Sequence, residues 1–338
     1  MASRGRCAPP CGTSSKMIEP SVDWYGSYAR RSAIADFLEL AALEGRTLSL
    51  EGLADLIRDN RWSVALGERI EVPGSSAVDS DPEEPDEDER GEMLGVEHDA
   101  ARLRAGDVLA VVAERVTVGQ RKYPFSVDDA GRLQYIGVAP AADPYIRLLA
   151  LTVAHATGMR FTPPPYQVFE AVVAEALSRA GFATTGIGAL SRAGGSFDSV
   201  LLACCGAVGL VAYPDAAPSR VFANDEGADI LTNVWAVDTR PGGLQLVGQV
   251  TCARSNDWSA KITEPKKLQW RDWLGRMRSP ETYLAVPHHV EDRTRTYLMS
   301  TQDRDIFDRM RLCHMIGPNY VRGEAAIVLG VLSSGVSV

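Results

Sequence analysis

Three consecutive prolines, Pro163-Pro164-Pro165, interrupt this 338-residue chain near its middle. Proline holds φ at about −65° and has no amide hydrogen, so neither a helix interior nor a central strand can run through such a triplet. The segment from Phe161 to Pro165 is therefore expected to be extended and to open a new structural unit. The residues before it read as mainly helical, and those after it as helices alternating with strands. The expected division is a leading segment at 1–17, a helical region at 18–75, an acidic linker at 76–95, a helical or mixed region at 96–158, an α/β domain at 159–322 and an apolar tail at 323–338.

The formal net charge of −9 would disfavour a polyanionic partner if it were evenly spread. It is not. Residues 79–92 hold nine acids (Asp79, Asp81, Glu83, Glu84, Asp86, Glu87, Asp88, Glu89 and Glu92) against Arg90, a net of −8. This run contains two prolines and no apolar side chain, and it cannot bury enough surface to offset chain ordering, so a solvated loop is expected. The rest of the chain is close to neutral, and Arg254 to Arg278 carries seven bases against three acids.

The six cysteines form neither a disulfide framework nor a zinc spacing, which fits a reducing, cytoplasmic setting. The first 17 residues lack the apolar stretch of a secretory leader, and no apolar run reaches the 18 residues of a membrane span.

Helical periodicity is expected from Tyr28 to Glu44 with a stop at Gly45, after Ser49 through Ile57, and from His98 to Arg115 with Leu103, Val108, Leu109, Val111 and Val112 on the apolar side. Short extended pieces at Tyr123–Phe125 and Leu133–Ile136 flank a turn, and Pro144 starts a further helix. Beyond the prolines, Tyr166–Ala180 and Phe197–Cys205 read as helices. Asp229–Val237 and Leu244–Cys252 read as strands joined by the turn Asp238–Gly243, Thr282–Val286 as another strand, and Asp303–Arg311 as a charged helix. Alternation places Gln245, Val247, Gln249 and Thr251 on one, more polar face of the Leu244–Cys252 strand, with Leu246, Gly248, Val250 and Cys252 on the other.

Asp229 stands at the start of the first of these strands, 20 residues before Gln249, so both side chains can meet at one end of the hairpin. Glu170, in the helix that opens the unit, could bring a second carboxylate alongside. Two carboxylates and an amide oxygen are hard ligands suited to Mg²⁺, which retains several waters and needs few protein ligands.

Phe169-Glu170 in a helix, Gly227-Ala228-Asp229 and Gly248-Gln249-Val250-Thr251 together resemble the PD-(D/E)xK nuclease superfamily, in its Gln-containing, restriction-type branch, over about residues 160–315. The resemblance implies a fold of the α/β (α+β) class: a mixed-sheet, restriction-endonuclease-like core flanked by helices, here preceded by the mainly helical N-terminal region. It implies metal ligation by Asp229, Gln249 and Glu170, with Mg²⁺ or Mn²⁺ as cofactor. The family's lysine, two residues after the Glu or Gln, is Thr251 here. Lys261, in the first turns of a helix that Asn256 or Asp257 could cap, is the residue expected to replace it, ahead of Lys266 and Lys267.

Arg254, Lys266, Lys267 and Arg271 supply candidate phosphate contacts, interleaved with Trp258, Trp270 and Trp273. The i, i+3, i+4 spacing of Trp270, Trp273 and Leu274 assigns those three to a core. The function expected on the resemblance is a Mg²⁺-dependent DNA endonuclease, the effector of a bacterial anti-phage or restriction system with a partner subunit and no membrane association. The alternative, favoured by Thr251, is a catalytically inactive nuclease-fold module that binds DNA or acts as a scaffold. No phosphate-loop, serine-triad or HExxH pattern offers a competing chemistry, and His288-His289 reads as a loop pair.

Overall fold

In a computed structural model, the described residues are 30–46, 49–58, 87–129, 131–137, 139–194, 196–216, 227–234, 243–253, 255–275, 278–317 and 324–333. The leading segment at 1–17, the acidic run before Glu87 and most of the Asp238–Gly243 turn lie outside them. The described residues form a mixed α/β fold. Its first part comprises helices α1 (Arg30–Leu43), α2 (Leu50–Arg58) and α3 (Glu87–Gly119), the hairpin β1 (Phe125–Val127)/β2 (Leu133–Tyr135) and helix α4 (Pro144–Ala156). Beyond the prolines come α5 (Pro165–Arg179), β3 (Ala183–Gly186), α6 (Ile187–Arg192), α7 (Phe197–Ala207), β4 (Ile230–Asn233), β5 (Gln245–Val250), α8 (Ser255–Lys261), α9 (Lys267–Trp273), β6 (Glu281–Ala285), α10 (Asp292–Gln302), β7 (Asp305–Phe307), α11 (Arg309–Ile316) and α12 (Glu324–Ser333).

Local signals account for many boundaries. The Ser49 hydroxyl accepts a hydrogen bond from the Gly52 amide, and Asp143 accepts one from the Tyr145 amide ahead of Pro144 at the first turn of α4. Gly45 and Gly181 take positive φ after α1 and α5, the left-handed conformation that ends a helix at least cost to glycine. Helix α3 starts at Glu87, inside the acidic run expected to be a solvated loop up to residue 95. An acidic stretch is compatible with a helix start, because negative charge is favoured at the N-terminal end of the peptide dipole. Leu103, expected on the apolar side of that helix, is 74% exposed, whereas Val108, Val111 and Val112 are buried.

The central sheet has the order β3-β4-β5-β6-β7: β3, β4 and β5 are antiparallel, while β5, β6 and β7 run parallel. Both faces are covered. Ile230, Leu246, Val250, Tyr283 and Phe307 face the large core made with α4, α5, α11 and the N-terminal helices. Leu231 and Val247 face a second core containing Phe197, Cys204, Trp270 and Trp273, and Leu284 and Ile306 face a third with Trp258, Ile262 and Leu298. The face expected to be polar is thus buried by α7, α8 and α9, and Gln245, Gln249 and Thr251 lie beneath them. The span Asp303–Arg311, expected to be one helix, divides into strand β7 and the start of α11, with Asp308 as the N-cap whose carboxylate accepts from the Arg311 amide. Ile306 pairs with Leu284 in the sheet, and that parallel pairing overrides the local helical pattern.

The large core joins the two halves of the chain across the proline boundary, and a buried charge network crosses it. Arg309 of α11 makes a bidentate pair with Asp36 of α1 at 2.8 and 2.9 Å. Arg115 of α3 reaches Asp36 at 2.7 Å and Glu39 at 2.7 Å. The Tyr123 and Tyr145 hydroxyls each donate to Glu39 at 2.8 Å, and Arg309 also donates to the Pro287 carbonyl and the Thr152 hydroxyl. Burial alone would raise the Asp36 carboxyl, but Arg309 and Arg115 outweigh it and hold Asp36 well below the ordinary carboxylate range. Burial, then the Glu39 charge, keeps both phenols protonated and therefore donors.

Removing one partner of such a network leaves an uncompensated buried charge, so Arg309→Ala should cost about 3–5 kcal/mol. Arg311→Ala, which loses a 3.5 Å surface pair with Asp305 and a 2.8 Å hydrogen bond to the Ile306 carbonyl, should cost about 1–2 kcal/mol. Urea denaturation of both variants checks this; equal losses would mean that the network does not hold the halves together.

Candidate active site at a bulged sheet end

The end of the sheet at which β4 begins and β5 finishes is irregular. Ile230 is the ladder partner of Gly248, yet the preceding Asp229 amide also donates to the Gly248 carbonyl at 2.8 Å. Two successive residues of one strand thus face one residue of the other, the arrangement of a β-bulge. The Val250 amide is satisfied instead by the Asp229 carboxylate, which accepts through Oδ2 at 2.8 Å. The Asp229 carbonyl in turn accepts from the Ile187 and Gly188 amides at the start of α6. Asp229 is therefore held by two segments, β5 and the start of α6, while remaining partly exposed.

Glu170 approaches from α5. It is buried, and its Oε1 lies against Gly186, where an added Cβ would come within 3.4 Å. Gly186 is the ladder partner of Ile230, so the backbones around Glu170 and Asp229 meet at the same sheet end. Gln249 is 8% exposed and sits between the two residues of β5 that bond to Asp229. By strand alternation it belongs to the face of Val247, opposite the face of Val250 on which α5 packs.

Thr251, at the family's lysine position, turns inward on its own chain: its hydroxyl accepts from the Ala253 amide at 3.0 Å. Lys261 lies on α8, which begins at Ser255, so Asn256 and Asp257 are inside the first turn rather than capping it. Its ammonium pairs with Glu264 at 2.8 Å. The Glu264 backbone is pressed against Gly227, where a Cβ would meet it at 2.7 Å, and Gly227 is two residues before Asp229. Gly227 also takes φ +71°, so glycine is required there on two counts. This contact brings the Lys261–Glu264 pair beside the segment that carries Asp229, with the lysine charge already partnered.

The expected phosphate contacts are similarly engaged. Lys267 pairs with Glu281 and Asp303, and Arg271 with Asp272. Lys266 is exposed just before α9, and Arg254 lies outside the described residues. Trp270, Trp273 and Leu274 are buried together, as their spacing predicts. His288 comes after β6 in a loop, with Nε2 3.4 Å from the Cys252 carbonyl oxygen and its ring 5.5 Å from Trp258; burial lowers its imidazole to about 4.

Residue type and spacing do not single out Tyr283, which the fold brings to the same place. Its ring occupies the space over Gly248, where a Cβ would lie 2.0 Å from Cζ. A glycine inside a strand is the available signal for such a close approach, and Gly248 carries it. Among the described residues no three His, Cys, Asp or Glu side chains are grouped closely enough to share a metal ion. Any Mg²⁺ at this sheet end would rest on Asp229, Glu170 and amide or carbonyl oxygens such as that of Gln249, a donor set of the hard type that the ion accepts. No helix among the described residues is long and apolar enough to cross a membrane. Comparison with known protein families, curated proteins and solved structures found no match.

Gly248→Ala should destabilise the fold by about 1–3 kcal/mol through overpacking against Tyr283. The loss should shrink when Tyr283 is replaced by Leu in the same chain; an undiminished loss in the double variant, measured by denaturant titration, would show that the ring is not what excludes the methyl. The His288 imidazole, at about 6.5 in the unfolded chain and about 4 when folded, makes the unfolded state the one that binds more protons between these values. Stability should therefore fall as the pH drops from about 6.5 to 4. His288→Asn should flatten that slope, and an unchanged slope would assign it to other groups.

Proposed function

We propose that this protein is a Mg²⁺-dependent DNA endonuclease of the restriction-endonuclease-like type, acting as the effector of a bacterial defence system with a partner subunit. The reading rests chiefly on one observation: the bulge at Asp229 places a partly exposed carboxylate at the end of a mixed, helix-flanked sheet, beside the segment against which Glu170 is buried. Bulges of this kind recur next to active sites because they re-aim a side chain that a regular ladder would turn elsewhere.

In this reading Asp229 and Glu170 would hold the metal, with Gln249, whose side chain belongs to the face opposite α5, reaching it only through an oxygen at the sheet end, and the metal would supply charge neutralisation at the scissile phosphate. Lys261 exchanges Glu264 for the phosphate or its attacking water when substrate arrives. Lys266, Lys267, Arg254 and Arg271 hold the backbone of the nucleic acid.

A second reading has a specific observation in its favour. Thr251 is committed to a turn, and Lys261, Lys267 and Arg271 are paired with carboxylates, which suits a nuclease-fold module that binds or scaffolds without cutting.

Plasmid and linear DNA incubated with Mg²⁺, Mn²⁺ or EDTA separate the two. Metal-dependent cleavage should fall at least a hundredfold in Asp229→Ala and in Lys261→Ala, on the order of the loss expected when a charge-stabilising group is removed. Salt-sensitive binding without cleavage supports the module instead, and cleavage untouched by Asp229→Ala would sink this assignment of the site.

A further inference from the structure

Beyond α8 the chain turns at residues 262–266, and this turn is tied to a distant loop. Pro265 has no amide hydrogen with which to prolong the helix. The Ile262 and Pro265 carbonyls instead accept hydrogen bonds from one nitrogen, Nη1 of Arg304, the second at 2.7 Å. Arg304 lies in the short connection between α10 and β7 and is half-buried. Its neighbour Asp303 takes the left-handed conformation at φ +50°, which a residue other than glycine keeps only where its surroundings fix it. The Asp303 carbonyl and carboxylate both accept from the Lys267 ammonium, at 2.8 and 3.0 Å. Two successive residues of the connection therefore hold the turn at both of its ends. Glu264 lies between the two carbonyls that Arg304 holds. Its backbone is the one pressed against Gly227, and its carboxylate is the partner of Lys261.

We propose that Arg304 is a positioning residue for the candidate site: by holding the carbonyls on either side of Glu264 it fixes the turn against Gly227, and so sets the place from which Lys261 acts beside Asp229. The Lys261–Glu264 pair cannot do this alone, because its side chains are 35% and 36% exposed and a surface pair at i, i+3 is weakly held. A guanidinium bonded to backbone carbonyls is a stronger tie, since its charge is permanent and charge-assisted hydrogen bonds exceed neutral ones. It is also independent of the exchange at the site: when Lys261 leaves Glu264 for a phosphate, the Arg304 bonds are untouched and the turn stays in place. A freed turn would let the lysine stray from the reacting group, and small misplacements are costly where catalysis depends on position. The proposal rests on the reading of Lys261 as the lysine of the site.

Two double-variant cycles test this. In the first, melting temperatures are compared for wild type, Gly227→Ala, Arg304→Gln and the double variant. Gly227→Ala should lower the wild type by several degrees, because its methyl meets the Glu264 backbone, and the Arg304→Gln chain by about half as much or less, because the released turn can back away. Additive shifts would overturn the proposal whether or not the protein cuts DNA. In the second, kcat for plasmid cleavage at saturating Mg²⁺ should fall about tenfold in Arg304→Gln, with KM for DNA within about twofold of wild type. On a Lys261→Ala chain the same substitution should cost less than about twofold, since no lysine is left to misplace. An unchanged kcat, or losses that multiply independently, would overturn the proposal by showing that Arg304 does not act through Lys261. Coupled melting shifts in a protein that does not cut DNA would overturn the nuclease reading, and with it the role of Lys261, while the hold of Arg304 on the turn stands. Should Arg304→Gln fail to fold, Arg304→Lys, which keeps a charged donor with a different reach, takes its place in both cycles.

Discussion

Two arginines and two carboxylates buried together set the terms for everything else in this molecule. Arg115 and Arg309 are both 0% exposed, and each charge is tolerable only because Asp36 and Glu39 meet it at hydrogen-bond distance. Such a network contributes little net stability compared with a well-packed apolar one, but it permits only one arrangement. A helix shifted by one turn would leave a buried charge unpaired, so α1, α3 and α11 are locked in register. The loop after β6 is part of the same lock, since the Pro287 carbonyl accepts from the Arg309 guanidinium and the His288 carbonyl from the Arg309 amide.

That lock reaches the sheet from behind. The cluster that contains Tyr145 and packs around Asp36 is continuous with the face of the sheet that carries Ile230, Tyr283 and Val250. The bulged end at Asp229 is thus built on a packed floor, while its other side is covered by the shorter helices α8 and α9, whose surface bears the Lys261–Glu264 and Lys267–Asp303 ion pairs.

Much of the architecture is legible in the chain because its signals are local. The prolines, the glycine stops and the 3.6-residue apolar spacing of α5 fall where they do for reasons within a few residues of each boundary. Strand β7 is not legible, because DRDIFDRMR matches a helical pattern and only pairing of Ile306 with Leu284 makes it a strand. The burial of Gln245 and Gln249 is hidden for a similar reason: polar side chains in alternation predict a wet face, and the covering helices come from distant parts of the chain. At the site, Asp229 and Glu170 can be named from residue type and spacing. The bulge depends on hydrogen bonding across the β4–β5 pair, and the Gly227–Glu264 and Gly248–Tyr283 contacts join residues 35 or more apart, a closeness that spacing along the chain does not encode. The charge network leaves no trace in the sequence at all, since Asp36 and Arg309 are 273 positions apart and each looks like an ordinary surface residue in its own helix.

That separation has a consequence for how the protein is made. Helix α1 emerges from the ribosome with two carboxylates on the face that will be buried, and their last partner, Arg309, is synthesised 273 residues after Asp36. At elongation rates of about 5–20 residues per second, the wait lasts from roughly a quarter of a minute to about a minute. During that time the N-terminal helices cannot complete the core that the Asp36–Arg309 pair closes. Until Arg309 is made, Arg115 is the one arginine of the network available to Asp36 and Glu39, so the core that buries both carboxylates is completed only as synthesis ends.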